Sequence, residues 1–117
     1  MFKIALVDDH ELFRKSLIFV LEQLDAIEVV FDTNDGNLLL DFLQDNTVDL
    51  VLLDIQMPLM DGFTLCKKIK QLHPDIKILT VSQLTTKESI HQIFESGANG
   101  FFSKNSSTDS FKEAVLS

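Results

Sequence analysis

The sequence predicts an α/β fold, a parallel sheet covered by helices on both faces. Three observations predict it. The stretch Asp49-Leu50-Val51-Leu52-Leu53-Asp54 is an apolar run without alternation, as a strand buried on both faces requires. Short β-rich segments alternate along the chain with segments of helical period, joined by connections of a few residues. Charged or hydroxyl residues stand where strands stop, the edge at which open α/β sheets place their ligands.

Residues 3–7 form the first strand and stop at Asp8-Asp9. From Glu11 the period changes: Phe13, Leu17, Val20, Leu21 and Leu24 share one helix face. Residues 27–31, I-E-V-V-F, form a second strand, and Asp35-Gly36 opens a shorter helix with Leu38, Leu39, Phe42 and Leu43. The third strand ends at Asp54. Pro58 then holds Met57 extended, and Asp61-Gly62 releases the chain into a helix marked by Phe63, Leu65, Cys66, Ile69 and Leu72. His73-Pro74 stops that helix. Residues 76–82 form the fourth strand, and Thr86-Lys87-Glu88 opens a helix through Ile90, Ile93 and Phe94 that Gly97 ends as a C′ residue. Residues 100–104 give a brief fifth strand. Ser107 and Thr108 offer caps for a last helix over 109–116. Five strands alternating with five helices is the expectation.

A chain of 117 residues with 45% apolar content supports one domain with a core. No apolar run approaches the ~18 residues of a membrane span, and the start is too short for a secretory leader. The single Cys66 excludes an internal disulfide and fits a reducing compartment, so a cytoplasmic protein is expected. Net charge is −8, unevenly spread: residues 1–60 hold 12 acids and 3 bases, residues 61–117 hold 6 and 7. Such a segment repels nucleic acid and anionic membrane. The surplus acids read equally as solvated helix faces or as a cation site.

Asp8-Asp9, Asp54, Ser82 and Lys104 all fall at strand ends, which in a parallel sheet open on one edge. Were the first and third strands neighbours, three carboxylates would share a crevice, and repulsion would raise at least one pKa. A hard divalent cation with oxygen ligands relieves that repulsion, and Mg²⁺ suits the set. Lys104 supplies a cation and Ser82 a hydroxyl donor, both fitted to phosphoryl oxygens. Alone, Asp54 reads as an acid that merely ends a strand. His10, His73 and His91 lack metal-ligand spacing and read as non-catalytic, Cys66 as core, and Lys67, Lys68 and Lys70 as a solvated face.

The set D-D-H at 8–10, D-I-Q-M-P-L-M-D-G at 54–62, V-S at 81–82 and G-A-N-G-F-F-S-K at 97–104 resembles the receiver domain of two-component response regulators over essentially the whole chain. That resemblance implies a flavodoxin-like (βα)5 doubly wound sheet of order 2-1-3-4-5. It implies that Asp54 accepts a phosphoryl group from a sensor histidine kinase or phosphotransfer protein. Mg²⁺ would be held by Asp9 and Asp54 directly, by the Gln56 backbone carbonyl, and by Asp8 through water. Ser82 and Lys104 would hold phosphoryl oxygens, and Phe101 would change rotamer on activation. Such a domain phosphorylates and dephosphorylates itself and turns over no external substrate.

The chain departs from the family pattern in having Ser82 for the commoner Thr, Phe101 for Tyr, Asn105 for Pro after the lysine, and a bulky Gln83. Gln56 and Leu84 occupy positions that tune phosphoryl lifetime in the family. These residues bear on rate and switch geometry. A dehalogenase-like phosphatase would need a second Asp where Gln56 stands, a flavodoxin-like carrier a Ser/Thr/Gly phosphate loop in place of Asp8-Asp9, and a degenerate receiver the loss of an acid or of Lys104. The D-D-H-E-L-F-R opening and the K-N pair at 104–105 resemble the LuxR-type subgroup. This implies a receiver at 1–117 followed by a helix-turn-helix DNA-binding domain, with a phosphorylation-dependent homodimer and DNA contacted only outside this segment. A stand-alone receiver that docks on a protein partner is the alternative.

Overall fold

The structure, a computed structural model, describes residues 1–56, 61–83 and 86–104, together with 110, 113 and 115. Strands β1 (Phe2–Val7), β2 (Ile27–Thr33), β3 (Leu50–Asp54), β4 (Lys77–Ser82) and β5 (Gly100–Ser103) alternate with helices α1 (Glu11–Glu22), α2 (Gly36–Asp45), α3 (Gly62–Leu72) and α4 (Lys87–Glu95). Every pairing is parallel, and the order is β2-β1-β3-β4-β5. The flavodoxin-like order implied by the family resemblance is therefore the observed one. Of the expected fifth helix, Ser110, Glu113 and Val115 are helical. The loop at 57–60, Leu84 and Asn105 lie outside the described residues.

Strand alternation divides the core into two layers. Ala5, Val7, Val51, Leu53 and Ile78 face one side and pack with Leu39, Leu43, Leu65, Cys66, Ile69 and Ile93 of α2, α3 and α4. Ile4, Leu6, Leu50, Leu52, Leu79 and Val81 face the other, against Leu17 and Leu21 of α1 and against Val115. β3 is buried throughout, as its unbroken apolar run required. Helix starts follow from their caps. Asp35, Asp61 and Thr86 each accept a backbone N–H of the first turn that would otherwise lack a partner. Gly97 closes α4 in the left-handed region, at φ 105°.

Several helix positions depart from expectation. Leu38, Leu72 and Phe94 are exposed, because each lies at the margin of an apolar stripe wider than the face its helix buries. β2 runs two residues beyond the expected end, one of them taken up by a bulge at Ile4/Ala5 that shifts its register against β1. Lys70 is no solvated base. Its ammonium donates to the Ile76 carbonyl at 2.6 Å, its stem packs on Gly97, and burial pulls its pKa down. Gly62 is demanded by space: a Cβ there would lie 2.5 Å from the Ile55 Cα, so only glycine lets α3 start against the end of β3.

Candidate functional site

β1 and β3 are neighbours, and the carboxylates that follow and end them converge. Asp8 and Asp54 are 2% and 1% exposed. Asp54 Oδ1 accepts the Gln56 N–H at 3.0 Å, and its Oδ2 accepts the Lys104 ammonium at 3.3 Å. The same ammonium lies 3.2 Å from Asp8 Oδ2. One lysine from beyond β5 thus bridges the acids of β1 and β3. It is fixed by its backbone N–H, which donates to the Ser82 carbonyl, and by the Phe13 ring, whose centroid is 4.7 Å from Nζ.

Electrostatics follow from this crowding. Burial pushes the Asp54 carboxyl up to about 6, and the neighbouring Asp8 charge adds to the rise. The Gln56 amide and Lys104 oppose it. Asp9 Oδ1 is buried with no hydrogen-bond partner among the described residues. A buried carboxylate oxygen without a donor is costly unless a cation faces it. Ligand atoms of Asp8, Asp9, His10 and Asp54 lie within 4.8 Å of one another. These residues therefore fit a divalent cation, as the oxygen-rich set predicted.

Ser82 is fully buried, and its hydroxyl donates to the Gln56 side chain at 3.3 Å. It stands one position past Val81, the register partner of Asp54. Phe101 is half-buried on the layer shared with α2, α3 and α4. Asp8, Asp9, Asp54, Gln56, Ser82 and Lys104 are thus at or beside one edge of the sheet, whereas Phe101 lies further back on β5, opposite Thr80.

Two residues at the edge were not expected. His10 was read as apart from the chemistry, yet its Nδ1 lies 3.2, 3.4 and 3.6 Å from carboxylate oxygens of Asp8, Asp9 and Asp54, and 2.9 Å from Lys104 Nζ. The cause is local: the His10 N–H donates to Asp8 Oδ1 at 2.7 Å, a two-residue turn that folds the ring back over the acids. Arg14 donates to the Asp8 carbonyl and pairs with Asp32 at 2.9 Å, holding the turn after β1 against the end of β2. By contrast His91 pairs with Glu95 on the exposed face of α4, and His73 caps α3.

Residues 4–116 match the response regulator receiver domain family model. The chain is 34% identical over 101 residues to the Fimbriae Z protein of Escherichia coli K12, covering 86% of this chain and 48% of that protein. It is 31% identical over 113 residues to the transcriptional regulatory protein DegU of Brevibacillus brevis, covering 97% and 48%. The chain thus spans about half the length of these relatives. Among solved structures, a response regulator signal receiver domain from Mycobacterium tuberculosis superposes with a TM-score of 0.90 at 29% identity, covering 97% of this chain and 92% of that one. Among the described residues no helix is long and apolar enough to cross a membrane.

Proposed function

This chain belongs to the response regulator receiver domain family, and from that premise we propose that Asp54 is the acceptor of a phosphoryl group from the phosphohistidine of a partner kinase or phosphotransfer protein. The observation that carries the reading is the convergence of Asp8, Asp9 and Asp54 with the Lys104 ammonium lying between two of them. Asp54 Oδ2 is the oxygen that attacks phosphorus, in line with the departing imidazole, through a loose transition state. Asp9 and Asp54 would hold Mg²⁺ directly, Asp8 would hold it through water, and Gln56 would contribute its backbone carbonyl. Held there, the ion would offset the charge of the carboxylates and of the transferring oxygens. Lys104 leaves its contact with Asp54 for the phosphoryl oxygens, where its charge is used in the transition state.

Ser82 exchanges the Gln56 side chain for a phosphoryl oxygen, and the space it vacates biases Phe101 inward. That is a shift between two populated states of one fold. Acetyl phosphate tests the acceptor. Intact-mass spectrometry should find one added phosphoryl group on wild type with Mg²⁺, and none without Mg²⁺ or on Asp54→Asn. Equal labelling of the variant would sink the assignment.

In the cell we place this domain in the cytoplasm, within a longer transcription regulator whose C-terminal helix-turn-helix is controlled by phosphorylation through dimerisation or release. Relatives of about twice its length, one of them a transcriptional regulator by name, support this. The net charge of −8 adds to it, since it suits this segment poorly to gripping DNA itself. Salt-dependent DNA binding that responds to phosphate should appear for the full-length protein and be absent from residues 1–117. A reading frame that stops shortly after Ser117 would end the proposal.

A further inference from the structure

We propose that His10 is a ligand of the divalent cation, so that this receiver discriminates in favour of a nitrogen-seeking ion such as Mn²⁺ or Co²⁺ over Mg²⁺. The inference rests on the cation site described above and adds a ligand to it. Two atoms bound cis to one ion at ~2.1 Å are separated by about 3.0 Å in an octahedron and about 3.4 Å in a tetrahedron. His10 Nδ1 stands 3.2, 3.4 and 3.6 Å from oxygens of Asp8, Asp9 and Asp54. The first two are spacings of atoms that share an ion, and the third is slightly wider.

One tautomer of the ring suits the role. Nδ1 lies 2.9 Å from the Lys104 ammonium, which can only donate, and 3.2 Å from Asp8 Oδ1, which can only accept; with the proton on Nε2, Nδ1 turns a lone pair toward a cation. A metal ligand needs the same tautomer. The residue is anchored through its backbone N–H on Asp8 and its side chain caps no helix N–H, so the contacts of the imidazole are with the groups of the site itself. Asp9 Oδ1, the buried oxygen without a hydrogen-bond partner, is 3.4 Å from it.

The consequence is chemical selectivity. Mg²⁺ favours oxygen and gains little from an imidazole, whereas Mn²⁺, Co²⁺ and Zn²⁺ accept it. An ion that takes Nδ1 as well as the Asp9 and Asp54 carboxylates would also keep fewer positions open for a phosphoryl oxygen. His10 thus tunes both which ion enters and how open it remains.

Calorimetric titration of wild type and His10→Gln with Mg²⁺, Mn²⁺ and Co²⁺ tests this, joined by pulsed EPR of the Mn²⁺ forms. The substitution should weaken Co²⁺ and Mn²⁺ about tenfold and Mg²⁺ less than about twofold, the scale of an outer partner or a lost ligand. A directly bound ¹⁴N should modulate the Mn²⁺ echo in wild type and vanish in His10→Gln. Equal weakening of all three ions, or no nitrogen modulation, overturns the inference while leaving the acidic site standing. Failure of wild type to bind any of the three overturns the site and the inference together.

Discussion

The two sides of the site at the carboxyl edge of the sheet are built differently. On the β1–β3 side, bonds to or from the backbone hold Asp8 and Asp54: His10 N–H on Asp8, Gln56 N–H on Asp54, the Arg14 guanidinium on the Asp8 carbonyl, and the Asp8 N–H on the Thr33 carbonyl. On the β4–β5 side, the functional atoms meet their partners through side-chain contacts. The Ser82 hydroxyl makes a 3.3 Å contact with a Gln56 side chain that is itself exposed, and Lys104 reaches across to its acids. Backbone-held groups stay put when charge changes, whereas side-chain contacts near the length limit exchange partners readily. On the function proposed above, the acidic side would be the fixed receptacle for the cation, and the Ser82–Lys104 side the part that answers a phosphoryl group.

The sharpest way to break that contrast is Lys104→Ala. If Lys104 serves only the arriving phosphoryl group, its loss should slow phosphorylation by acetyl phosphate about a hundredfold, the scale of removing one transition-state donor. Mg²⁺ affinity should hold or tighten, because the variant loses a competing cation that lies 3.2 and 3.3 Å from Asp8 and Asp54. Calorimetry suits the measurement, since the chain has neither Trp nor Tyr to report binding. A large loss of Mg²⁺ affinity would show that Lys104 also orders the acids, and the two sides would then be one unit.

The same contrast explains what was legible in the sequence. Asp8, Asp9, Asp54, Ser82 and Lys104 could be read because strand ends are marked by a change of composition, and parallel strands bring those ends to one edge. The sheet was legible for a similar reason, β3 above all. His10 was not, because its place depends on a hydrogen bond between its own backbone and the side chain two residues earlier. Spacing rules for metal ligands on helices and strands do not register such a turn. Arg14 was hidden too: its partner Asp32 lies in the part of β2 that runs past the expected end. The exposed Leu38, Leu72 and Phe94 show the converse limit, since periodicity gives the direction of a helix face but not its width.

A smaller effect sharpens the comparison from the fixed side, and its sign can be worked out. The Asp54 carboxyl is pushed from 3.8 up to about 6, first by burial and then by Asp8. The folded state therefore keeps this proton in a window where the unfolded chain has lost it. Its favourable contribution is full below 3.8 and is lost as pH rises through 6. At pH 7, without a cation, the ionised group costs the fold about 2–3 kcal/mol. Asp54→Asn removes that charge, so in EDTA at pH 7 the variant should be more stable than wild type by about 2 kcal/mol, with Lys104 left less well paired. The advantage should shrink as pH falls toward 4, where the wild-type Asp54 carboxyl regains its proton. Mg²⁺ should narrow it at pH 7 by binding the wild-type carboxylate, and Mg²⁺ affinity should itself fall about tenfold per unit below pH 6. Denaturant unfolding of both proteins at two pH values, with and without Mg²⁺, provides the measurement. A variant no more stable than wild type at pH 7 in EDTA would mean that Lys104 already neutralises Asp54, and that the acidic side is satisfied before any cation arrives.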